Sequence, residues 1–152
     1  MNRKISITQL LSFTPRDVEA IQMLAKKIGH NHTFLSDDDV KGMINSPCNF
    51  IFIAQDKNAD KIVGMITLIV YRIPYVKKSV IEDLIVDEGY RGQGIGTMLL
   101  KKALEVARNN SVAYVDFTSR PRRQEGNSLY EKLGFKKRET NVYRLIYEYG
   151  EI

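Results

Sequence analysis

Three glycines within five residues, Gly92, Gly94 and Gly96, follow Arg91 in the middle of the chain. The segment before them, Val76–Val86, is rich in valine and isoleucine and is predicted to be a strand, whereas the segment after them has helical apolar spacing. Glycine allows positive φ angles and lets a ligand approach the backbone closely. Because the first N–H groups of a helix have no partner inside it, this turn predicts an anion site that suits a diphosphate.

The glycine turn does not fit two known nucleotide-binding patterns. No Gly-Lys-Ser/Thr sequence follows it, and Thr97 stands where a dinucleotide-binding turn needs its third glycine. The turn also follows several strands rather than the first one. A glycine turn with a purely structural role stays the alternative at this point.

The elements that must position this turn alternate in a β-α-α-β-β-β-α-β-α-β-β order. This order predicts an α/β (α+β) fold, in which a twisted, mostly antiparallel mixed sheet carries helices on both faces. No repeat or linker is visible, so we predict a single domain over residues 1–152. The predicted strands are Lys4–Leu10, Asn49–Gln55, Lys61–Tyr71, Val76–Val86, Val112–Phe117, Phe135–Lys137 and Asn141–Tyr149. The predicted helices begin at Thr14 or Asp17, at Ser36 and after Gly96, and a fourth spans Glu125–Leu133.

Length and composition exclude several classes of protein. The chain has 152 residues, 43% of them hydrophobic and 27% charged, which excludes a disordered protein or a coiled coil. The single cysteine, Cys48, excludes a disulfide scaffold and a cysteine-rich zinc module. The longest apolar run, Ile62–Val70, is far shorter than the roughly 20 residues that a membrane span needs. With no apolar signal segment at the N-terminus, a cytoplasmic protein without a membrane partner is expected.

The net charge of +5 is concentrated between Arg120 and Arg138, a stretch that contains seven basic residues and two glutamates. A basic surface suits a phosphate-bearing ligand or a nucleic acid, although an ordinary solvated surface is equally compatible. The aromatic residues of the stretch, Tyr130 and Phe135, are not interleaved with its basic residues as a stacking surface requires, and it has no known nucleic-acid-binding signature, so a nucleic-acid partner is not expected. His30 and His32 lack a cysteine or carboxylate at ligand spacing, and no metal site is predicted.

Two separated motifs resemble the GNAT superfamily of acyl-CoA-dependent N-acetyltransferases. Residues 91–96, Arg-Gly-Gln-Gly-Ile-Gly, match the family pattern Arg/Gln-x-x-Gly-x-Gly/Ala, and Leu129–Phe135 looks like its closing Leu-Tyr-x-x-x-Gly-Phe. The resemblance implies a GNAT-type fold, acetyl-CoA as cosubstrate and no metal.

The resemblance also implies a donor site. Backbone N–H groups of the glycine turn would bind the CoA pyrophosphate, and the strand before it would pair with the pantetheine arm as an added strand does. The Leu84 N–H would stabilise the oxyanion of the thioester, and the strand would separate from Val112–Phe117 to admit the cofactor. Arg123 replaces the asparagine of many family members, so Asn127 is expected to take its contact, and whether Arg123 reaches a phosphate stays open. The implied cofactor-binding residues are Leu84, Ile85, Val86, Arg91, Gly92, Gln93, Gly94, Ile95, Gly96, Thr97 and Asn127.

Tyr130 matches the family tyrosine that protonates the departing CoA thiolate. A phenol with a pKa of about 10 is a suitable acid for a thiolate whose thiol has a pKa of about 8.5. Glu82 resembles the glutamate that acts through water in diamine acetyltransferases, and burial would raise its pKa toward a useful range. Asp83 or water alone are the alternative bases. A core aromatic at Tyr130 and an ion-paired carboxylate at Glu82 are the structural alternatives.

These residues predict direct attack of a primary amine on acetyl-CoA in a ternary complex. The Glu82-Asp83 pair and the acidic Asp37–Asp39 segment favour a small cationic amine as acceptor, although helix capping explains the latter equally well. A protein N-terminus or lysine is the next acceptor class, and a CoA-binding sensor without turnover is an alternative of another kind. The oligomeric state is not given by the sequence, and a homodimer stays open.

Overall fold

A computed structural model describes residues 3–29 and 34–145, with only the backbone of Glu125. The chain divides between Thr118 and Ser119 into two compact units, and the single domain stays a prediction. The first unit contains strands β1 (Ile5–Gln9), β2 (Asn49–Asp56), β3 (Lys61–Ile73), β4 (Val76–Val86) and β5 (Val115–Asp116), with helices α1 (Pro15–Lys26), α2 (Asp37–Asn45) and α3 (Ile95–Asn109). A short 3-10 turn, Glu88–Tyr90, precedes α3, and the second unit contains α4 (Gln124–Lys132).

The five strands form one sheet in the order β1-β2-β3-β4-β5. The first three pairings are antiparallel, and the last one, between β4 and β5, is parallel. The mixed, mostly antiparallel sheet predicted from the sequence is therefore confirmed.

Helices cover both faces of this sheet, as predicted. Alternate strand residues face opposite sides, and Met65 belongs to a buried cluster with Ile21 and Leu24 of α1. Its neighbour Gly64 lies on the other face, where the Leu99 side chain of α3 packs against it. α1 and α2 therefore cover one face, and α3 covers the other.

Local side-chain bonds fix the starts of the first two helices. The Thr14 hydroxyl accepts from the Asp17 N–H at 3.3 Å, and the Asp17 carboxylate accepts from the Thr14 N–H at 2.8 Å. Ser36 and Asp39 form the same reciprocal capping box at α2. Hydrogen bonds from the Ser36 hydroxyl and backbone N–H lower the pKa of Asp39. Capping thus explains this member of the acidic segment.

The strands predicted after α4 are wrong where the structure describes them. Residues 135–145 form neither a helix nor a strand, and Val142, Tyr143 and Leu145 are exposed; residues 146–149 lie outside the described residues. An alternating apolar pattern becomes a strand only where a neighbouring edge pairs with it.

The strand predicted over Val112–Phe117 is also too long. Only Val115–Asp116 forms β5, and Val112 is held to the end of α3, because its N–H bonds the Ala107 carbonyl at 3.3 Å.

Candidate cofactor site and acid-base residues

β4 contains a bulge that the sequence analysis missed. Ile85 pairs with Met65 and Glu82 pairs with Thr67, so two residues of β4, Asp83 and Leu84, lie opposite Ile66 of β3. Asp83 has a φ of 54°, a left-handed conformation that aspartate adopts more readily than most residues. The available signal was weak: an aspartate inside an apolar strand. The bulge turns the strand before its last three residues, Leu84, Ile85 and Val86.

The pairing of β4 with β5 lies in the first half of β4. It covers Ser79 opposite Val115 and Val80 opposite Asp116, whereas Ile85 and Val86 pair with Met65 and Gly64 of β3. The separation of the two strands that the resemblance implied stays a prediction.

The glycine turn has the backbone conformation that an anion site needs. Gly92 and Gly94 have φ angles of 73° and 76°, and Gly94 is the N-cap of α3. The helical ladder starts at the Met98 N–H, which bonds the Gly94 carbonyl at 3.0 Å. The N–H groups of Ile95, Gly96 and Thr97 precede that bond, so they are directed out of the helix start.

Gly64 of β3 allows the close packing beneath this turn. A Cβ atom at Gly64 would lie 2.9 Å from the Ile85 carbonyl oxygen and 3.2 Å from Leu99 Cδ1. Such contacts with backbone are too short for any larger residue without displacement. β4 and α3 can therefore approach β3 here only because position 64 has no side chain.

Arg91 holds the start of the glycine turn against β4. Its Nε donates to the Val86 carbonyl at 3.3 Å, and its guanidinium lies 3.8 Å from Glu88. The side chain is exposed, so its positive charge faces solvent beside Gly92. Arg91, which the resemblance implied as a cofactor-binding residue, thus also has a structural contact with β4.

Glu82 differs from expectation in its burial. Its side chain is exposed, so the burial that was predicted to raise its pKa is absent and that part of the prediction is wrong. Glu82 and Ile85 lie on the same face of the sheet, because their partners in β3, Thr67 and Met65, are two residues apart. Asp83 is half-buried.

Tyr130 lies in the second unit, on α4, and is buried with 8% of its surface exposed. Burial raises the pKa of its phenol, and the positive charge of Arg123 opposes that shift. Its ring meets Phe135 edge to face at a centroid distance of 6.3 Å. The Tyr130 carbonyl accepts from the N–H groups of Leu133 and Phe135, both at 3.1 Å. The same residue therefore places a buried phenol and ends the helix.

Asn127 has a local structural role in the same unit. Its Nδ2 donates to the carbonyls of Arg120 and Pro121, at 3.3 and 3.4 Å. The amide nitrogen thereby holds the loop that precedes α4. Its predicted contact with the cofactor arm stays a prediction.

The sequence pattern of the acetyltransferase (GNAT) family matches residues 15–135, most of the chain. The protein belongs to the GNAT acetyltransferase family. An uncharacterised N-acetyltransferase of Methanocaldococcus jannaschii is 34% identical over 60 residues, covering 40% of this chain and 26% of that protein. The chain thus spans about a quarter of this relative's length.

Solved structures of GNAT acetyltransferases share the fold. An aminoglycoside acetyltransferase from an uncultured soil metagenomic sample superposes with a TM-score of 0.79 at 20% identity, over 94% of this chain and 97% of that one. Glucosamine-6-phosphate N-acetyltransferase from Arabidopsis thaliana gives a TM-score of 0.80 at 15% identity, over 93% and 98%. At these identities the likeness concerns the fold alone.

Binding of the acyl donor by Leu84–Val86 and Arg91–Thr97 stays a prediction. Among residues 3–29 and 34–145, no three histidine, cysteine or carboxylate side chains form a group that could hold a metal ion; His30 and His32 lie outside these ranges. No helix in the described part of the chain has the length and apolar character to cross a membrane. The expected cytoplasmic location stays a prediction.

Proposed function

We propose that this GNAT protein transfers the acetyl group of acetyl-CoA to a primary amine. The observation that carries the proposal is the backbone of residues 92–97, where two left-handed glycines lead into the start of α3. The helix start offers several N–H groups and the positive end of a helix dipole to a diphosphate. CoA is a diphosphate that the family uses as its acyl carrier.

The end of β4 would receive the pantetheine arm. Arm amides can pair with backbone groups of Leu84, Ile85 and Val86 as an added strand does, and the β4–β5 register at Ser79 and Val80 lies outside this segment, which supports the role. In this arrangement the Leu84 N–H bonds the thioester carbonyl oxygen. The bond strengthens as that oxygen becomes an oxyanion, which lowers the barrier to attack.

In the proposed reaction the neutral amine nitrogen attacks the thioester carbonyl carbon. Collapse of the tetrahedral intermediate breaks the carbon–sulfur bond and gives the amide and the CoA thiolate. Tyr130 donates its phenolic proton to that thiolate. After the attack, the nitrogen carries a positive charge. It loses a proton to water or, through water, to Glu82, whose exposed carboxylate is accessible to solvent.

A small cationic amine is the acceptor class we favour. The carboxylates of Glu82 and Asp83 stand at the bulge, next to the segment assigned to the thioester, and would attract an ammonium group. Two structural relatives are named as acetyltransferases of amino sugars, an aminoglycoside and glucosamine-6-phosphate. A protein N-terminus or lysine is the alternative acceptor.

The decisive experiment measures thiol release from acetyl-CoA with polyamines, aminoglycosides, amino acids and N-terminal peptides. Tyr130→Phe is compared with Tyr143→Phe, a control at an exposed tyrosine of the same unit. We expect Tyr130→Phe to lower kcat by about a hundredfold, the usual size of a general-acid contribution, and to leave the Kd for acetyl-CoA within a factor of two.

Other outcomes of this assay are equally informative. Equal kcat values in Tyr130→Phe and wild type would remove the acid role from Tyr130. Acetyl-CoA binding without release for any acceptor would favour the sensor. Absence of acetyl-CoA binding would overturn the proposal.

The pH dependence follows from the direction of the Tyr130 shift. An acid is active while protonated, and burial raises the pKa of this phenol above its ordinary value of 10.0. Tyr130 therefore loses its proton at higher pH than an ordinary tyrosine does, and the loss of activity that it causes begins at correspondingly higher pH. An ultraviolet difference titration of wild type against Tyr130→Phe checks this: a titration midpoint for Tyr130 at or below that of a free tyrosine would contradict it.

A further inference from the structure

A cleft of about 640 Å³ lies beside the glycine turn in the first unit. Its lining comes from the chain before β1, the turn after β2, the 3-10 turn Glu88–Tyr90 and Gln93. None of the residues on its β2 side belongs to the motifs that the sequence analysis singled out. The cleft residues Asp56 and Arg3 contact the segment between β4 and the glycine turn.

Asp56, the last residue of β2, is a buried carboxylate with 2% of its surface exposed. It accepts from the N–H groups of Asn58 and Ala59 at 2.9 and 3.4 Å, and from the Tyr90 hydroxyl at 3.1 Å. Desolvation alone would raise the pKa of Asp56, but these bonds and the charge of Arg3 outweigh it and hold the pKa below its ordinary value. An ionised carboxylate fixed by the β2–β3 turn thus holds the Tyr90 hydroxyl.

Arg3 holds the face of the same tyrosine. Its guanidinium carbon lies 4.2 Å from the centre of the Tyr90 ring, and its Nη1 donates to the Gly89 carbonyl at 2.7 Å. The ring contact and the hydrogen bond both act on the 3-10 turn. Tyr90 is therefore held at its hydroxyl by β2 and at its ring by the chain before β1.

The start of this turn is tethered independently. The Asp87 carboxylate pairs with Lys27, the C-cap of α1, at 3.2 Å and with Lys61 of β3 at 3.0 Å, and its N–H bonds the Val63 carbonyl at 2.8 Å. Asp87 fixes the point where the chain leaves β4. Tyr90 fixes the point two residues before the first left-handed glycine, Gly92.

We propose that Tyr90, clamped by Asp56 and Arg3, is a positioning residue that orders the glycine turn before the donor binds. The proposal rests on the assignment of that turn to the CoA pyrophosphate. A ligand that meets an ordered loop does not have to supply the free energy for ordering it. Removing one hold on Tyr90 weakens donor binding without touching the reacting atoms.

The test uses Tyr90→Phe, which keeps the ring and removes the bond to Asp56, and Arg3→Gln, which changes an exposed side chain. The control is Tyr75→Phe, because Tyr75 is 93% exposed at the β3–β4 turn. CoA binding is measured by calorimetry. We expect the Kd to rise about fivefold to tenfold in Tyr90→Phe, the size of one lost hydrogen bond, and to stay unchanged in Tyr75→Phe.

Two further readouts separate positioning from general stability. In acetyl transfer, the KM for acetyl-CoA rises in Tyr90→Phe while kcat stays within a factor of two. In the variant that combines Tyr90→Phe with Arg3→Gln, the Kd for CoA rises by less than the product of the two single effects, because both side chains hold one turn. A wild-type Kd in Tyr90→Phe, or a loss confined to kcat, would overturn the proposal.

Hydrogen exchange of the ligand-free protein distinguishes this proposal from the proposed function. The hydrogen-bonded amides on either side of the glycines, those of Arg91 and Met98, should exchange faster in Tyr90→Phe, whereas those of α1 should not change. Unchanged exchange at Arg91 and Met98 would refute the positioning role even if wild type binds CoA. Faster exchange together with no CoA binding by wild type would refute the donor assignment and, with it, the effect on donor affinity.

Discussion

The two halves of β4 have the same strand partner on one side and different surroundings on the other. In the first half, Ser79 and Val80 pair with β5 as well as β3, and Lys78 Nζ lies 5.3 and 5.6 Å from the ring centres of Tyr71 and Tyr114. In the second half, the strand bulges at Asp83 and its register with β3 shifts, and the register with β5 ends at Val80, before this half. The first half is built as the middle of a sheet, and the second is the half to which we assign the pantetheine arm.

The difference depends on two residues that compensate each other. Asp83 adopts a left-handed conformation that shifts the strand, and Gly64 makes room for the shifted carbonyl of Ile85. A bulge without Gly64 would push β4 away from β3. Gly64 without the bulge would leave a gap beside Leu99.

Three substitutions test the comparison between the two halves of β4, and Gly64→Ala should give the largest effect. The added methyl group meets backbone at 2.9 Å, and overpacking of this kind costs about 1–3 kcal/mol of unfolding free energy. Urea unfolding measures it. Gly42→Ala is the matched control on α2, where nothing lies within 4 Å of the new Cβ; it should stabilise by about 0.5–1 kcal/mol. Equal effects would mean that the bulge needs no space at position 64.

Asp83→Val should give an intermediate effect, because a β-branched residue in the left-handed region costs about 1–2 kcal/mol. Asp83→Asn tolerates the same conformation and serves as the control. We expect the valine variant to unfold at lower urea and to bind acetyl-CoA more weakly, with the asparagine variant close to wild type in both. Wild-type binding in the valine variant would show that the bulge does not shape the donor site.

Lys78→Gln should give the smallest effect. It changes a surface side chain in the first half of β4, the half that pairs with β5. The hydrogen bond to Tyr71 raises the pKa of Lys78, although desolvation opposes it, so the lysine keeps its charge at neutral pH. Its loss should lower the midpoint of urea unfolding less than Gly64→Ala does and should not change the Kd for acetyl-CoA. Lys77→Gln, on the opposite face, is the control. A weaker donor affinity in Lys78→Gln alone would contradict the division of β4 into two roles.

Much of the fold could be predicted from local sequence. The bounds of β4 were predicted as observed, and the start of α2 followed from Ser36, because caps depend on side chains three residues apart. The start of α1 was predicted at Thr14 or Asp17, and Thr14 is its N-cap. The segment 135–145 was predicted wrongly as mostly strand, because strand formation depends on a partner edge that local pattern does not reveal. Val142 and Leu145 have the right residue types and are exposed.

The candidate site was predictable where it depends on motifs. The glycines at 92 and 94 have the positive φ angles that their residue type suggested. The bulge, Gly64 and the hold on Tyr90 were missed, because each arises between residues far apart in the chain. The exposure of Glu82 was missed for the same reason, since burial is a property of packing rather than of the strand's own sequence.

The backbone of Tyr130 closes α4 through its carbonyl, which accepts two N–H groups, whereas the predicted chemistry uses only its hydroxyl. Structure and reaction are thus carried by different atoms of one residue. A descendant of this chain could replace the tyrosine with phenylalanine and keep the helix end. In the proposed mechanism, loss of the hydroxyl alone slows acetyl transfer and leaves both the fold and the binding of acetyl-CoA in place, so a single substitution separates donor binding from turnover.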